Sequence, residues 1–178
     1  MIPATWPRNF GQVLGAGVSP RPTEAAEVVE PRQGLDQTCM QHSLGYQLAQ
    51  ANIPIRKVFI KYIGEPLQLS TVEFTVLSLV ANNADVTQKQ LSQALAVSAP
   101  NITTLLDRLE QRQLLTRERS EADRRAQHIR LTRKGAALAH KAMRVSLTME
   151  LDVLRHLSDA ERAILIELLQ KVARHRRV

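Results

Sequence analysis

Between Ser98 and Leu109 the sequence separates its chemistry by side. At roughly 100° per residue, Ile102, Leu105, Leu106 and Leu109 fall on one face of a helix. The opposite face carries Pro100, Thr103, Thr104, Asp107 and Arg108, with Asn101 at the edge. Short polar side chains of this kind reach base edges or phosphates when a helix lies in a major groove. The alternative is an ordinary solvated face. The segment that follows favours the groove. From Arg108 to Lys134 there are nine basic and four acidic residues, a net +5 in 27 residues. Eight of the nine are arginine, including Arg119, Arg124 and Arg125. Arginine suits bidentate phosphate contact and insertion into a narrow, electronegative minor groove. Asp123 stands beside Arg124 and Arg125, where a carboxylate can pair with a guanidinium and hold a hairpin tip in shape. The bland reading of the same run is a solvated hairpin with compensated charges.

Those side chains need elements to carry them. Two short runs with partial alternation, Leu115 to Arg119 and Gln127 to Thr132, flank a polar stretch and predict a hairpin. Ahead of them, Thr87 to Leu109 has the dimensions of a helix-turn-helix. Its first helix covers 87–95, its turn is Ala96-Val97, and Ser98 is placed to cap a second helix over 99–112. Pro100 suits a first helical turn, where a missing N–H costs nothing. Ser70-x-x-Glu73, Thr87-x-x-Gln90 and Ser158-x-x-Glu161 each match a capping box ahead of an apolar run. Further helices are expected over 39–63, 71–82, 133–156 and 159–175. Pro54 should kink or break the first of these near Ile53. Residues 1–34 hold five of the eight prolines and four of the seven glycines. The organisation expected is an extension over 1–35, mobile or docked on the body or a partner, and a folded domain over 36–178.

Composition removes several classes. The 178 residues suit one domain with an appendage, and 44 % apolar with 23 % charged is ordinary for a folded protein. The net charge of +7 points to a polyanion, either nucleic acid or an anionic membrane surface. A single cysteine, Cys39, excludes an internal disulfide framework. No apolar run approaches a bilayer span, and the first residues lack a secretory pattern, so a cytoplasmic protein is expected. Five scattered histidines show no metal spacing. No catalytic set or glycine-rich phosphate loop emerges, so neither an enzyme nor a cofactor is expected. Three Phe, two Tyr and one Trp leave few stacking platforms for RNA. A winged-helix module docking to protein, and a regulator without any ligand, stay open as alternatives.

From Leu44 to Val172 the chain resembles MarR-family winged-helix regulators. The carriers are Leu44-Gly45-Tyr46, Leu69-Ser70, Thr87-Gln88-Lys89-Gln90-Leu91 and Val97-Ser98 through Leu105-Leu106-Asp107-Arg108-Leu109-Glu110. Asp123-Arg124-Arg125 and Leu131-Thr132-Arg133-Lys134-Gly135 complete them. The resemblance implies a mainly α fold with a small two- to three-stranded β wing. It divides the domain into a dimerisation helix over 39–66, a winged helix-turn-helix over 67–133 and C-terminal dimerisation helices over 134–178. It implies a homodimer on a pseudo-palindromic double-stranded operator, usually as a repressor. Ser98, Pro100, Asn101, Thr103, Thr104, Arg108, Arg119, Asp123, Arg124 and Arg125 are then the DNA-contacting set. Arg125 falls on the wing-tip arginine and Asp123 on its orienting acid. Such dimers often answer to aromatic acids, phenols or oxidants. By position, Asn52 and Arg56 fall on a ligand-lining face, with Tyr46, Phe59 and Phe74 near enough to stack on a ring. The alternative is that Arg56, with Lys57 and Lys61, forms a solvated basic face. Cys39 lies seven residues before Tyr46 rather than the four seen in peroxide-sensing relatives, which favours a plain thiol. Two departures stand out. Gln113 occupies a position where the family usually has glycine, so a different helix end is expected. Thr104 replaces an arginine common in the family and cannot make a bidentate guanine contact.

Overall fold

A computed structural model describes residues 35–119 and 127–174, apart from the side chain of Arg119. The chain divides into two units, Met1–Thr38 and Cys39–Val178. In the second unit, α1 (Leu44–Phe59) leads through a π-helical turn, Ile60–Gly64, into a short α2 (Glu65–Leu67). Then follow α3 (Thr71–Ala81), β1 (Val86–Thr87), α4 (Gln88–Leu95) and α5 (Ala99–Gln111). Strands β2 (Leu115–Arg119) and β3 (Gln127–Leu131) come next, then α6 (Arg133–Ser146) and α7 (Asp159–Arg174). The three strands form an antiparallel sheet in the order β1-β3-β2, with Val86 opposite Ile129 and Arg117 opposite Ile129 on its other side. This is a mainly helical winged helix-turn-helix.

Local chemistry accounts for the starts of the helices. All three capping boxes close. The Ser70 N–H donates to Glu73 Oε2 at 2.8 Å, that of Thr87 to Gln90 Oε1 at 2.7 Å, and that of Ser158 to Glu161 Oε2 at 2.8 Å. In each the N3 backbone N–H returns a bond to the capping hydroxyl. The core lies where α3, α4, α5, the sheet and α6 meet, around Val76, Leu77, Leu91, Ile102, Leu106 and Ile129.

Two expectations are corrected. Helix α1 runs unbroken through Pro54. Gln50, whose carbonyl loses its donor, is exposed along with Pro54, so water can replace the missing bond. The irregularity falls later, in the π turn, and rephases the chain so that Phe59, Ile63 and Leu67 are all buried. The helix expected over 133–156 stops at Ser146, and turns mixing i→i−3 and i→i−4 bonds follow. Leu147 is 80 % exposed where the helix stops and Thr148 is exposed too, so little packing holds the chain helical at that point. The helix expected over 159–175 is present as α7, and it buries none of its sixteen residues, although Ile164, Ile166, Leu168 and Val172 are apolar.

Candidate nucleic-acid interface and effector cleft

Helix α5 is anchored by its apolar face. Ile102, Leu106 and Leu109 have no exposed surface. Burial of that face fixes what the other side presents, and Pro100, Asn101, Thr103, Thr104 and Arg108 are all exposed. Pro100 lies in the first turn, as expected. Ser98 occupies the N-cap with extended backbone, but its hydroxyl closes no capping bond and is exposed. The turn before it is made without glycine. Ala96 takes a left-handed φ of 52°, and the Ser92 hydroxyl donates to the Val97 carbonyl at 2.6 Å.

The two threonines are held in defined states. Thr103 Oγ1 donates to the Ala99 carbonyl at 2.9 Å and accepts from Gln88 Nε2 at 2.7 Å. Thr104 Oγ1 donates to the Pro100 carbonyl at 3.1 Å. Their hydroxyl protons are thus engaged within the helix. Thr104 offers the outside a lone pair and a methyl group, suited to an exocyclic amine and to a thymine methyl. Gln88 is a residue that the sequence reading missed. It lies on α4, and only the fold brings it beside Thr103.

Part of the basic run is spent inside the fold. Arg117 on β2 donates from Nη1 to Glu110 Oε2 at 2.9 Å and from Nη2 to Asp107 Oδ1, which bolts the wing to α5. Arg112 pairs with buried Glu73 at 3.3 Å. Arg130 pairs with Asp85 and with Glu118, each at 2.8 Å. Lys134 Nζ donates to the Arg112 carbonyl at 2.9 Å. Asp107, Glu73 and Asp85 lie outside the 108–134 window, so a charge count over that window overstates its free charge. Arg108 and Arg133 are exposed and have no ion pair among the described residues. Asp123, Arg124, Arg125 and the side chain of Arg119 lie outside the described residues.

The end of α5 is not the altered one expected from Gln113. Gln113 adopts the left-handed conformation itself, with φ 58°. Its N–H bonds the Glu110 carbonyl at 2.8 Å, and that of Leu114 bonds the Leu109 carbonyl at 2.9 Å, a Schellman pattern. Neighbours enforce it. Thr132 Oγ1 donates to the Gln113 carbonyl at 2.7 Å, and Leu114 is buried. Thr132 also caps α6 through the Gly135 N–H at 3.0 Å. A Cβ on Gly135 would stand 1.8 Å from the Leu114 carbonyl oxygen. The Leu-Thr-x-x-Gly run is therefore the joint between α5, the sheet and α6.

Away from the α5 face, a cleft of about 440 Å³ opens between α1, α3 and the turn after α6. Asn52, Arg56, Phe59 and Phe74, four of the five expected ligand residues, line it. Tyr46 does not; it sits six residues before Asn52 on α1. The Phe59 and Phe74 rings pack at 5.8 Å between centroids, tilted by 56°. Ile55, Thr71, Thr75, Met149 and Glu150 complete the lining, and none of them was expected at a ligand site from the sequence. The cleft has the size of a small-molecule site.

The model of the MarR family matches residues 67–126. The regulator PecS of Dickeya dadantii (strain 3937) is 34 % identical over 122 residues, covering 67 % of this chain and 70 % of PecS. The transcriptional repressor CouR, solved on a 23-mer DNA duplex, is 31 % identical with a TM-score of 0.71, covering 79 % of this chain and 99 % of CouR. CouR has also been solved with p-coumaroyl-CoA, at 30 % identity and TM-score 0.71 over 80 % of this chain and 99 % of that one. A cysteine-to-serine mutant of MarR from E. coli, in complex with operator DNA, is 26 % identical with a TM-score of 0.68, covering 78 % of this chain and 99 % of that one.

Proposed function

This chain belongs to the MarR family of DNA-binding transcriptional regulators, and on that premise we propose a homodimeric repressor that leaves its operator when a small aromatic acid or phenol binds. The observation that carries the DNA reading is the exposed, short-side-chain face of α5, backed by an entirely buried apolar face. Ser98, Pro100, Asn101, Thr103, Thr104 and Arg108 meet the major groove. Arg119, Asp123, Arg124 and Arg125 form the wing's contact with the neighbouring minor groove and phosphates. The duplexes bound to CouR and to MarR support this assignment.

The dimer follows from α7. A sixteen-residue helix with no buried residue is marginal alone in water. Its apolar residues, with Leu44 and Leu48 on α1 and Leu151 beyond α6, need a partner surface. A second copy supplies one through an isologous contact, which sets two α5 helices about 34 Å apart in successive major grooves. The effector reading rests on the cleft. Arg56 offers a bidentate donor for a carboxylate, and Phe59 and Phe74 offer ring faces. The complex of CouR with p-coumaroyl-CoA supports ligand control in this kind of fold.

The test is fluorescence anisotropy on duplexes from the DNA upstream of the chain's own gene. Arg125→Ala should weaken operator binding by about 1–3 kcal/mol, and affinity should fall steeply with added salt as counterions are released. An unchanged affinity at fixed salt removes Arg125 from the contact. Indifference to every duplex at low ionic strength defeats the whole reading.

A further inference from the structure

The cleft holds two opposite charges that do not meet. Arg56 comes from α1, and Glu150 comes from the turn after α6. Both line the same space, yet neither side chain has a hydrogen bond or ion pair among the described residues. Glu150 is half-buried in the cleft wall, and no protein donor among the described residues meets its carboxylate. The neighbouring hydroxyl of Thr75 cannot serve, because its proton goes to the Thr71 carbonyl at 2.8 Å. A cleft meant for a bare anion would gain nothing from a carboxylate in its wall. An ionised carboxylate only accepts hydrogen bonds, so its complement is a donor on the ligand.

We propose that Glu150 is a specificity residue, selecting among the aromatic acids held by Arg56 those that also carry a hydrogen-bond donor, a phenolic hydroxyl or aryl amine, on the ring. The proposal rests on the effector reading of this cleft and narrows its ligand to a two-ended molecule. The carboxylate is taken by Arg56, the ring lies among Phe59, Phe74 and Met149, and the donor meets Glu150. A ring acid without the donor desolvates Glu150 and leaves it unpaired, which disfavours binding.

The experiment is isothermal titration of the full chain at neutral pH. The probes are para- and meta-hydroxybenzoate, each beside its methoxy counterpart, in which the donor is removed. In the native protein at least one hydroxy acid should bind about tenfold more tightly than its methoxy partner, as expected for a charge-assisted hydrogen bond. In Glu150→Ala that ratio should fall to within about twofold, while Glu150→Gln, which keeps an acceptor, should retain part of it. Arg56→Gln should weaken both members of a pair by the same factor. Equal affinities in the native protein, or a ratio untouched by Glu150→Ala, overturn the role of Glu150 and leave the cleft standing. Binding of no probe, or binding indifferent to Arg56→Gln, overturns the cleft and the proposal together.

Discussion

Gln113 holds a backbone conformation that an L side chain adopts at a cost of order 1 kcal/mol, because its Cβ crowds the following carbonyl. Thr132, Leu114 and the Glu110 carbonyl leave it no other. Gln113→Gly should therefore raise unfolding stability by about 0.5–1 kcal/mol, the relief exceeding the extra freedom glycine gives the unfolded chain. Urea denaturation checks this, and a loss of stability would mean that the Gln side chain contributes contacts outweighing the strain. The glycine usual in the family hinted at this conformation. The inference that the helix ends otherwise failed because it weighed one residue and not the three neighbours that hold it. Thr103 and Thr104 teach the same lesson at the interface. Their identities were legible, but their hydroxyl orientations depend on carbonyls four residues back and, for Thr103, on Gln88 from another helix.

Elements are joined here by a few side chains, and those joints are where substitutions should register. Arg117 ties β2 to α5 through Asp107 and Glu110. Arg117→Ala should lower stability by about 1–2 kcal/mol, allowing for the half-exposed partners, and should weaken operator binding by letting the wing swing. Paired denaturation and anisotropy measurements decide the matter. If Arg117 were instead a phosphate contact, stability would hold and the salt slope would drop by about one. Gly135→Ala should cost about 3 kcal/mol or more, since the clash is with backbone that cannot swing aside; a Tm within a few degrees of the native value would refute that joint. The helix starts were legible because a capping box closes within four residues, and α5 was legible because four leucine-sized residues repeat on one side. The π turn and the early end of α6 were not, since both are settled by what packs nearby. Nor could the sequence pair Glu73, Asp85 and Asp107 with their arginines, or bring Met149 and Glu150 beside Asn52, because folding alone makes these neighbours.

On the scale of the whole molecule, the described chain has a well-packed DNA-binding lobe and a final helix without a core of its own. The dimer proposed above makes stability depend on protein concentration, because association and the ordering of α7 are linked. The Tm should rise with concentration over a hundredfold range, and a chain ending before Asp159 should sediment as a monomer and lose operator affinity. A Tm independent of concentration, or a dimer surviving that truncation, would place the association surface elsewhere. The unburied α7 also has a genetic consequence. In the proposed dimer, the products of two alleles in one cell would assemble with each other, so a copy bearing an intact last helix but a disabled α5 would sequester normal copies in hybrids with one working reading head. Such an allele should be dominant, whereas an allele lacking α7 altogether should be recessive.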